Sequence, residues 1–223
     1  FPLRCALCGA ALLDDEPFWC GVCDAAMPRY FGDAAARFDG RVDWAASRVL
    51  LRHRGSPEVA ALLNGFKYKG REGLALEIGR SMGRELSAFS IPGDVGVRPV
   101  LVPVPLHADK MKLRGYNQAE RIAAGWSEVT GWPVLDVLVR EATGAALAAS
   151  DREERMGSQA LQYRAAENGA EPEAHPLLML SPPPSLVVLV DDVATSGATL
   201  EAVWAAVREV WDGPIAFGCA ASP

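Results

Sequence analysis

Lysine, an excess of basic charge and long apolar runs are all missing or scarce in this chain of 223 residues. No run of 18 apolar residues occurs and no segment resembles a signal peptide, so the sequence predicts no transmembrane helix. Acidic residues outnumber basic ones by 28 to 22, and the formal charge of −6 at first argues against a nucleic-acid or membrane-surface protein. Only four residues are lysines, and they form two pairs: Lys67 with Lys69, and Lys110 with Lys112.

The composition that remains is that of a globular protein. Half of the residues are apolar and 22% are charged, whereas disordered chains contain fewer apolar residues. The length leaves room for one ordinary domain with a small appendage. Because residues 1–40 contain few large aliphatic side chains, we expect them to form the appendage and residues 41–223 to form the domain.

Four of the five cysteines form two C-x-x-C pairs separated by eleven residues: Cys5 with Cys8, and Cys20 with Cys23. Two such turns can supply a tetrahedral shell of four thiolates, which suits Zn²⁺; the alternatives are two disulfides or a redox dithiol. Since no histidine accompanies the four thiols, we expect a structural zinc ion in a zinc-ribbon-like module over residues 1–40. This use of cysteine also indicates a reducing compartment, the cytoplasm, and leaves Cys219 as a buried thiol.

Strands and helices alternate after residue 41. The predicted strands cover residues 42–46, 100–102, 134–139, 186–190 and 215–220, with helices after Ser56, over residues 74–86, after Asn117 and over residues 200–211. This alternation predicts an α/β domain with a mostly parallel sheet flanked by helices. Within residues 140–185, which are rich in Glu, Ala and Gly, we expect a mobile loop region and a strand over residues 177–180.

The strongest functional signal is the end of the strand at residues 186–190. The strand leads directly into two carboxylates, Asp191 and Asp192, and then into a loop of small and hydroxyl residues that enters a helix: Thr195, Ser196, Gly197, Ala198 and Thr199. The carboxyl edge of an open α/β sheet is where ligands bind, and a helix N-terminus favours an anion. Two acids beside a phosphate site make sense if the ligand also offers sugar hydroxyls or brings Mg²⁺. The alternative, an ordinary strand-turn-helix, has no use for a buried acid pair.

The two lysine pairs are candidates for contacts to pyrophosphate or another polyanion. Lys110 and Lys112 follow the strand at residues 100–102 and are joined by Arg114, while Lys67 and Lys69 flank an aromatic residue. Each cluster could also be a solvated basic loop. Residues 41–71 nevertheless hold seven basic and two acidic residues, a local charge of +5, so the acidic total does not exclude a polyanionic partner.

Four motifs together resemble the ComF family of phosphoribosyltransferase-like proteins, which are associated in some bacteria with competence and the uptake of transforming DNA. They are the double C-x-x-C, K-Y-K-G at residues 67–70, V-P-V-P-L-H with R-G-Y-N-Q between residues 102 and 118, and D-D-V-A-T-S-G-A-T at residues 191–199. The resemblance covers nearly the whole chain. It implies a type I phosphoribosyltransferase-like fold that binds phosphoribosyl pyrophosphate or a related phosphorylated sugar or nucleotide with Mg²⁺.

The resemblance also assigns roles to residues. It implies that Asp191 and Asp192 hold the ribose hydroxyls and that residues 195–199 hold the 5′-phosphate. Thr195 stands where purine-salvage members of the wider family carry an acidic general base. In the middle region, Arg140, Thr143 and Arg155 are the matches to the family signature.

Two functions therefore remain open from the sequence. The first is a binding protein linked to DNA uptake or DNA handling, with single-stranded DNA and other competence or DNA-processing proteins as candidate partners. Its cations would track a nucleic-acid backbone while Phe66 and Tyr68 stack on bases. The second is an active phosphoribosyltransferase of nucleotide metabolism with an unknown acceptor.

Overall fold

The computed structural model describes residues 3–38, 42–68, 71–89, 96–140, 163–165 and 175–223. Its main sheet consists of four parallel strands in the order β1-β6-β5-β2: β1 (Ala46–Arg52), β2 (Pro99–Pro103), β5 (Leu186–Val193) and β6 (Ile215–Ser222). A separate antiparallel pair is formed by β3 (Leu138–Arg140) and β4 (Tyr163–Ala165). The predicted parallel sheet is confirmed.

Seven helices and one 3₁₀ turn occur in the described part of the chain. The helices are α1 (Gly21–Ala26), α2 (Pro57–Tyr68), α3 (Glu72–Leu86), α4 (Ala108–Arg114), α5 (Gln118–Thr130), α6 (Pro176–Met179) and α7 (Ala198–Arg208), and the turn is Ala35–Phe38. None of the described helices is long and apolar enough to cross a membrane.

The central strand β5 is covered on both faces, as its continuous apolar run predicts. Val188 and Val190 pack into the core that includes residues of α2, α3 and α5, whereas Val187 and Leu189 pack into the core that includes residues of α7. The pairing of β5 with β2 ends at Val190 opposite Pro103, while Asp191 still pairs with Cys219 of β6. The sheet therefore delivers Asp191 and Asp192 to its carboxyl edge.

Helices α3 and α5 cross at glycines. A Cβ atom on Gly79 would collide with the carbonyl oxygen of Ile122, and one on Gly125 would collide with the carbonyl oxygen of Leu76. This close approach lets Trp126 of α5 lie fully buried against Gly218 of β6. The crossing holds the N-terminal end of α5, and the residues before it, in place beside the sheet.

Several predicted elements differ from the observed ones. The predicted strand over residues 42–46 is wrong, because β1 begins only at Ala46. Its buried residues Val49, Leu50 and Leu51 lie further along the chain than the alternating residues on which the prediction depended. The predicted strand over residues 177–180 is also wrong, because residues 177–179 belong to α6. The His175 side chain accepts from the Leu177 N–H at the N-terminus of this helix. Most of residues 140–185, where a mobile loop region is predicted, lies outside the described residues.

The N-terminal segment is attached both to helix α3 and to the sheet. The Arg29 guanidinium donates to both carboxylate oxygens of Glu85 on α3 (2.8 and 2.9 Å). The segment then runs along β1, where the Tyr30 N–H donates to the Leu50 carbonyl (3.0 Å). Phe38, at the end of the 3₁₀ turn, is buried against Phe217 of β6 with 5.5 Å between ring centroids.

The glycine crossing generates a stability prediction. Gly79→Ala should lower the free energy of unfolding by about 1–3 kcal/mol, because the new methyl group must push two backbones apart. Gly65→Ala on α2 is the matched control, since its Cβ atom would meet only the end of the flexible Leu74 side chain at 3.0 Å. Urea titration of both variants tests this, and equal stabilities would contradict the proposed role of the crossing.

Candidate functional site

A cleft of about 410 Å³ opens at the carboxyl edge of the sheet. Its walls come from the end of β5, the start of α5, the exposed side of α4, the C-terminal half of α2, and the β3–β4 pair. The charged residues that line it are four cations and two carboxylates: Lys67, Lys110, Arg114, Arg140, Asp191 and Asp192. Elements distant in sequence thus converge on one cavity, in which cations outnumber acids although the chain as a whole is acidic.

The two carboxylates at the end of β5 have different surroundings. Lys67 of α2 places its Nζ atom 2.9 Å from Asp192 Oδ2. Burial raises the pKa of Asp191 to about 7, and the neighbouring charge of Asp192 adds to the rise. The Asp192 N–H, which donates to Asp191 Oδ1 at 2.8 Å, opposes this rise together with the positive charges of Lys67 and Arg140.

The loop after the acids forms a small depression at the N-terminus of α7. Residues 193–200 line it together with Asp191. Gly197 has a φ of +81°, and a Cβ atom there would lie 2.5 Å from the Phe38 ring, so both its backbone and its packing require glycine. The first N–H groups of any helix have no acceptor within the helix, which makes this depression suited to an anion.

The predicted basic residues separate into three groups. Lys67, Lys110 and Arg114 line the cleft. Lys112 is exposed on α4 and is not among the residues that line it. Lys69 lies outside the described residues.

The two lysine-bearing segments touch each other. The Tyr116 hydroxyl, from the R-G-Y-N-Q motif, donates to the carbonyl of Phe66, the residue before Lys67. Burial raises the pKa of the Tyr116 phenol. Phe66 itself is fully buried in the core, so the prediction that it stacks on bases is wrong. The Tyr68 side chain is outside what the structure describes.

Several residues that line the cleft were not predicted as site residues, among them Arg140, Tyr163 and His53. Arg140, a match to the family signature, places its guanidinium carbon 5.1 Å from the centroid of the Tyr163 ring, and both residues line the cleft. His53, which belongs to no sequence motif, also lines it. The end of the predicted strand over residues 134–139 is the signal that could have identified Arg140, because sheet ends carry site residues. His107 instead accepts from the Asp109 N–H and caps α4.

The four N-terminal cysteines converge on one centre. Their Sγ atoms all lie within 4.8 Å of one another, and Cys8 Sγ is 3.7 Å from Cys20 Sγ. All four are free thiols, so the alternative of two disulfides does not describe this structure. The cluster could hold a metal ion.

The chemistry of the thiols fits a soft divalent cation. Burial by itself would raise the pKa of Cys5, but backbone N–H groups of Cys8, Cys20 and Leu7 lower it to about 6. Burial and the neighbouring thiols raise the pKa of Cys23. Four sulfurs at this spacing match the ligand set of a structural zinc site, where the metal keeps every thiol deprotonated.

The carboxylates of the cleft fit a different cation. Asp191 and Asp192 offer the oxygen ligands that Mg²⁺ prefers, and they stand next to the depression suited to an anion. Lys67 forms an ion pair with Asp192. The donor set is therefore compatible with a hard divalent cation.

Comparison with known proteins agrees with the resemblance found in the motifs. No protein-family model matches the chain. Over 196 residues the chain is similar to Competence protein F of Haemophilus influenzae, at 23% identity and covering 86% of this chain and 79% of that protein. The predicted resemblance to the ComF family is thereby confirmed. The predicted fold class is confirmed as well, as a parallel sheet flanked by helices with a small cysteine-bearing module.

A solved structure of the allosteric regulatory enzyme of purine biosynthesis also matches. The match has a TM-score of 0.42 and 16% identity, and it covers 70% of this chain and 30% of that chain. The matched part of this chain thus corresponds to less than a third of the length of that enzyme.

The cysteine cluster predicts one zinc ion per chain. Elemental analysis of the purified protein should find stoichiometric zinc, and Cys20→Ser should lose it, because a three-thiol site binds the metal more weakly. Cys219→Ala, which removes the buried thiol of β6, is the control and should keep the metal. A fully folded wild-type chain without metal would contradict the assignment.

The raised pKa of Asp191 predicts a pH-dependent stability difference. The unfolded chain ionises this carboxyl near its usual value of 3.8, whereas the folded chain retains the proton up to about pH 7. Between these values the folded state binds more protons, so Asp191 lowers the free energy of unfolding as pH rises, by up to about 1.4 kcal/mol per pH unit.

Asp191→Asn lacks this titration and should gain stability relative to wild type between pH 5 and pH 8. Urea titration at the two pH values measures the change. Asp136→Asn, at an exposed position, controls for the loss of one negative charge. A wild-type minus Asp191→Asn difference that does not vary with pH would refute the burial argument.

Proposed function

We propose that this chain binds phosphoribosyl pyrophosphate, or a closely related phosphorylated sugar or nucleotide, with Mg²⁺ in the cleft at the carboxyl edge of the sheet. The observation that carries the proposal is the convergence of an acid pair, a helix N-terminus and several cations on one cavity. A ligand with sugar hydroxyls between two anionic groups would suit all three features: the hydroxyls would face the acid pair, one anionic group the helix N-terminus, and the other the cations.

The sugar and its phosphate occupy the β5–α7 end of the cleft. Asp191 and Asp192 accept hydrogen bonds from the ribose hydroxyls, which are donors that a carboxylate pair can hold. The 5′-phosphate lies in the depression at the N-terminus of α7, where backbone N–H groups and the hydroxyls of Thr195, Ser196 and Thr199 donate to it. Gly197 permits the turn that brings these donors together.

The second anionic group lies towards the basic wall of the cleft. Lys110 and Arg114 contact the pyrophosphate from α4, and Arg140 does so from the end of β3. Mg²⁺, held by the carboxylates of Asp191 and Asp192, supplies positive charge beside the pyrophosphate. Lys67, now paired with Asp192, remains within reach of the same ligand.

The biological setting that we propose is DNA uptake or DNA handling. Its support is the similarity to a relative named Competence protein F and the four motifs shared with the ComF family. Single-stranded DNA and other competence or DNA-processing proteins are the partners that this setting implies. Arg52, the last residue of β1, and Arg54 are exposed on either side of His53, which lines the cleft, and they could contact a nucleic-acid backbone.

An active phosphoribosyltransferase is the second candidate. Lys110 and Arg114 favour it, because cations at the pyrophosphate would stabilise the charge that develops when this group leaves. No carboxylate stands at position 195, where Thr195 is exposed at the cleft, so an acceptor would have to react without a general base from this position.

Calorimetry with phosphoribosyl pyrophosphate, with and without Mg²⁺, tests the proposal. Wild type should bind more tightly with Mg²⁺, and Asp191→Asn combined with Asp192→Asn should weaken binding at least 100-fold while zinc content stays unchanged. Asp136→Asn is the matched control for a lost surface carboxylate. Absence of binding by wild type with Mg²⁺ present would overturn the proposal.

The same preparation separates the two candidate functions. Release of pyrophosphate on addition of nucleobases would favour the transferase. Binding of a single-stranded oligonucleotide that weakens as salt is raised, without pyrophosphate release, would favour the DNA-handling function.

A further inference from the structure

Gln118 is a buried polar residue at the start of α5 with one side open to the cleft. It follows Asn117, whose side chain caps the helix by accepting from the Ala119 N–H (3.1 Å). Its residue is 2% exposed, and it is among those that line the cleft. The side-chain amide is thus almost completely buried, and the cleft is the side from which a ligand can reach it.

The orientation of this amide is determined by Arg114. Arg114 Nη1 donates to Gln118 Oε1 at 2.8 Å. A guanidinium group has only donors, so the oxygen of the amide must face it and the nitrogen must face away. A flip of the amide would place two donors against each other.

Among the described residues, Gln118 Nε2 has no hydrogen-bond partner. The amide lies close enough to the Tyr116 hydroxyl to lower the pKa of that phenol, but the two groups do not reach hydrogen-bond geometry. A buried donor without an acceptor destabilises a folded protein, and such groups are rare unless a ligand or water satisfies them. The unsatisfied donor of Gln118 therefore points to a ligand atom.

The surroundings specify which kind of atom the donor meets. Arg114, Lys110 and Lys67 line the same cleft, and the N-terminus of α5 adds its own positive potential. A hydrogen-bond acceptor that settles among these cations is most stable if it carries negative charge.

We propose that Gln118 is a specificity-determining residue that donates through Nε2 to an oxygen of the ligand's diphosphate group. Its Oε1 atom at the same time orients Arg114 towards that group, so one side chain supplies one donor and positions another. The inference rests on the proposed binding of a diphosphorylated sugar and adds the residue that distinguishes it from a sugar with a single phosphate.

Two variants separate the donor from the positioning role. Gln118→Glu keeps an oxygen for Arg114 and replaces the Nε2 donor by a carboxylate oxygen, which repels the diphosphate. Gln118→Leu removes both the donor and the oxygen. Each should weaken binding of phosphoribosyl pyrophosphate about 10- to 100-fold, the effect of losing a hydrogen bond to a charged group. Ribose 5-phosphate lacks the diphosphate, so its affinity should change less than twofold in the uncharged variant Gln118→Leu.

The stability of the variants distinguishes a ligand-binding role of Gln118 from a structural one, because loss of a structural residue would lower the free energy of unfolding. Because Gln118→Glu keeps an oxygen for Arg114 and removes an unsatisfied buried donor, its urea midpoint should equal or exceed that of wild type. A lower midpoint, or equal weakening of both ligands, would assign Gln118 to the scaffold and overturn the inference. Unchanged affinity for phosphoribosyl pyrophosphate would overturn it too, while leaving the proposed function intact.

One further outcome would contradict the proposed function and still leave the inference about Gln118 open to test. If wild type binds neither sugar phosphate, the proposed function fails, and inorganic pyrophosphate becomes the probe. Weakening of pyrophosphate binding by Gln118→Leu would then support the inference alone. Absence of pyrophosphate binding by wild type would remove both proposals.

Discussion

The ion pair between Lys67 and Asp192 is the interaction on which the arrangement of the cleft depends. Strand β5 is covered on both faces and ends in two adjacent carboxylates, whose mutual repulsion in a half-buried position must be offset. Lys67 offsets it from α2, at 2.9 Å from Asp192. Helix α2 must therefore end over the sheet edge, and the contact of Tyr116 with the Phe66 carbonyl holds it there. Three segments from different parts of the chain thus share one electrostatic constraint.

Much of the fold could be predicted from the sequence because its strongest patterns are local. The apolar run before Asp191 specifies a strand buried on both faces, and the Asn117 cap specifies where α5 begins. The short elements were less predictable: α6 has four residues, too few for a helical period, and a capping His175 with Pro176 decides its form. The observed strand β1 lies later in the chain than the predicted one, because its position is set by pairing with β6. This long-range contact outweighs the local alternation at residues 42–46.

The candidate site divides along the same line. The acid pair, the loop at residues 195–199 and the four cysteines each carry a compact motif, so their residues could be named in advance. The parts that complete the cleft depend on tertiary contacts. Arg140 reaches it through the β3–β4 pair, and the orphaned donor of Gln118 is visible only once Arg114 is seen to hold the other end of the amide. Phe66 was misassigned because an aromatic residue between charged motifs has the same sequence pattern whether it faces solvent or the core.

The hydrogen bonds between the N-terminal segment and β1 have a consequence for association between molecules. β1 is an outer strand of the sheet, and an uncovered outer strand is a template for pairing with another chain. Here the Tyr30 N–H and the Pro28 carbonyl occupy Leu50 and Arg52 of that strand, while on the other side Pro133 and Leu135 bond to Leu101 of β2. Both margins of the sheet are thus closed by irregular chain. The cysteine-bearing segment, besides offering a metal site, protects the sheet against edge-to-edge aggregation.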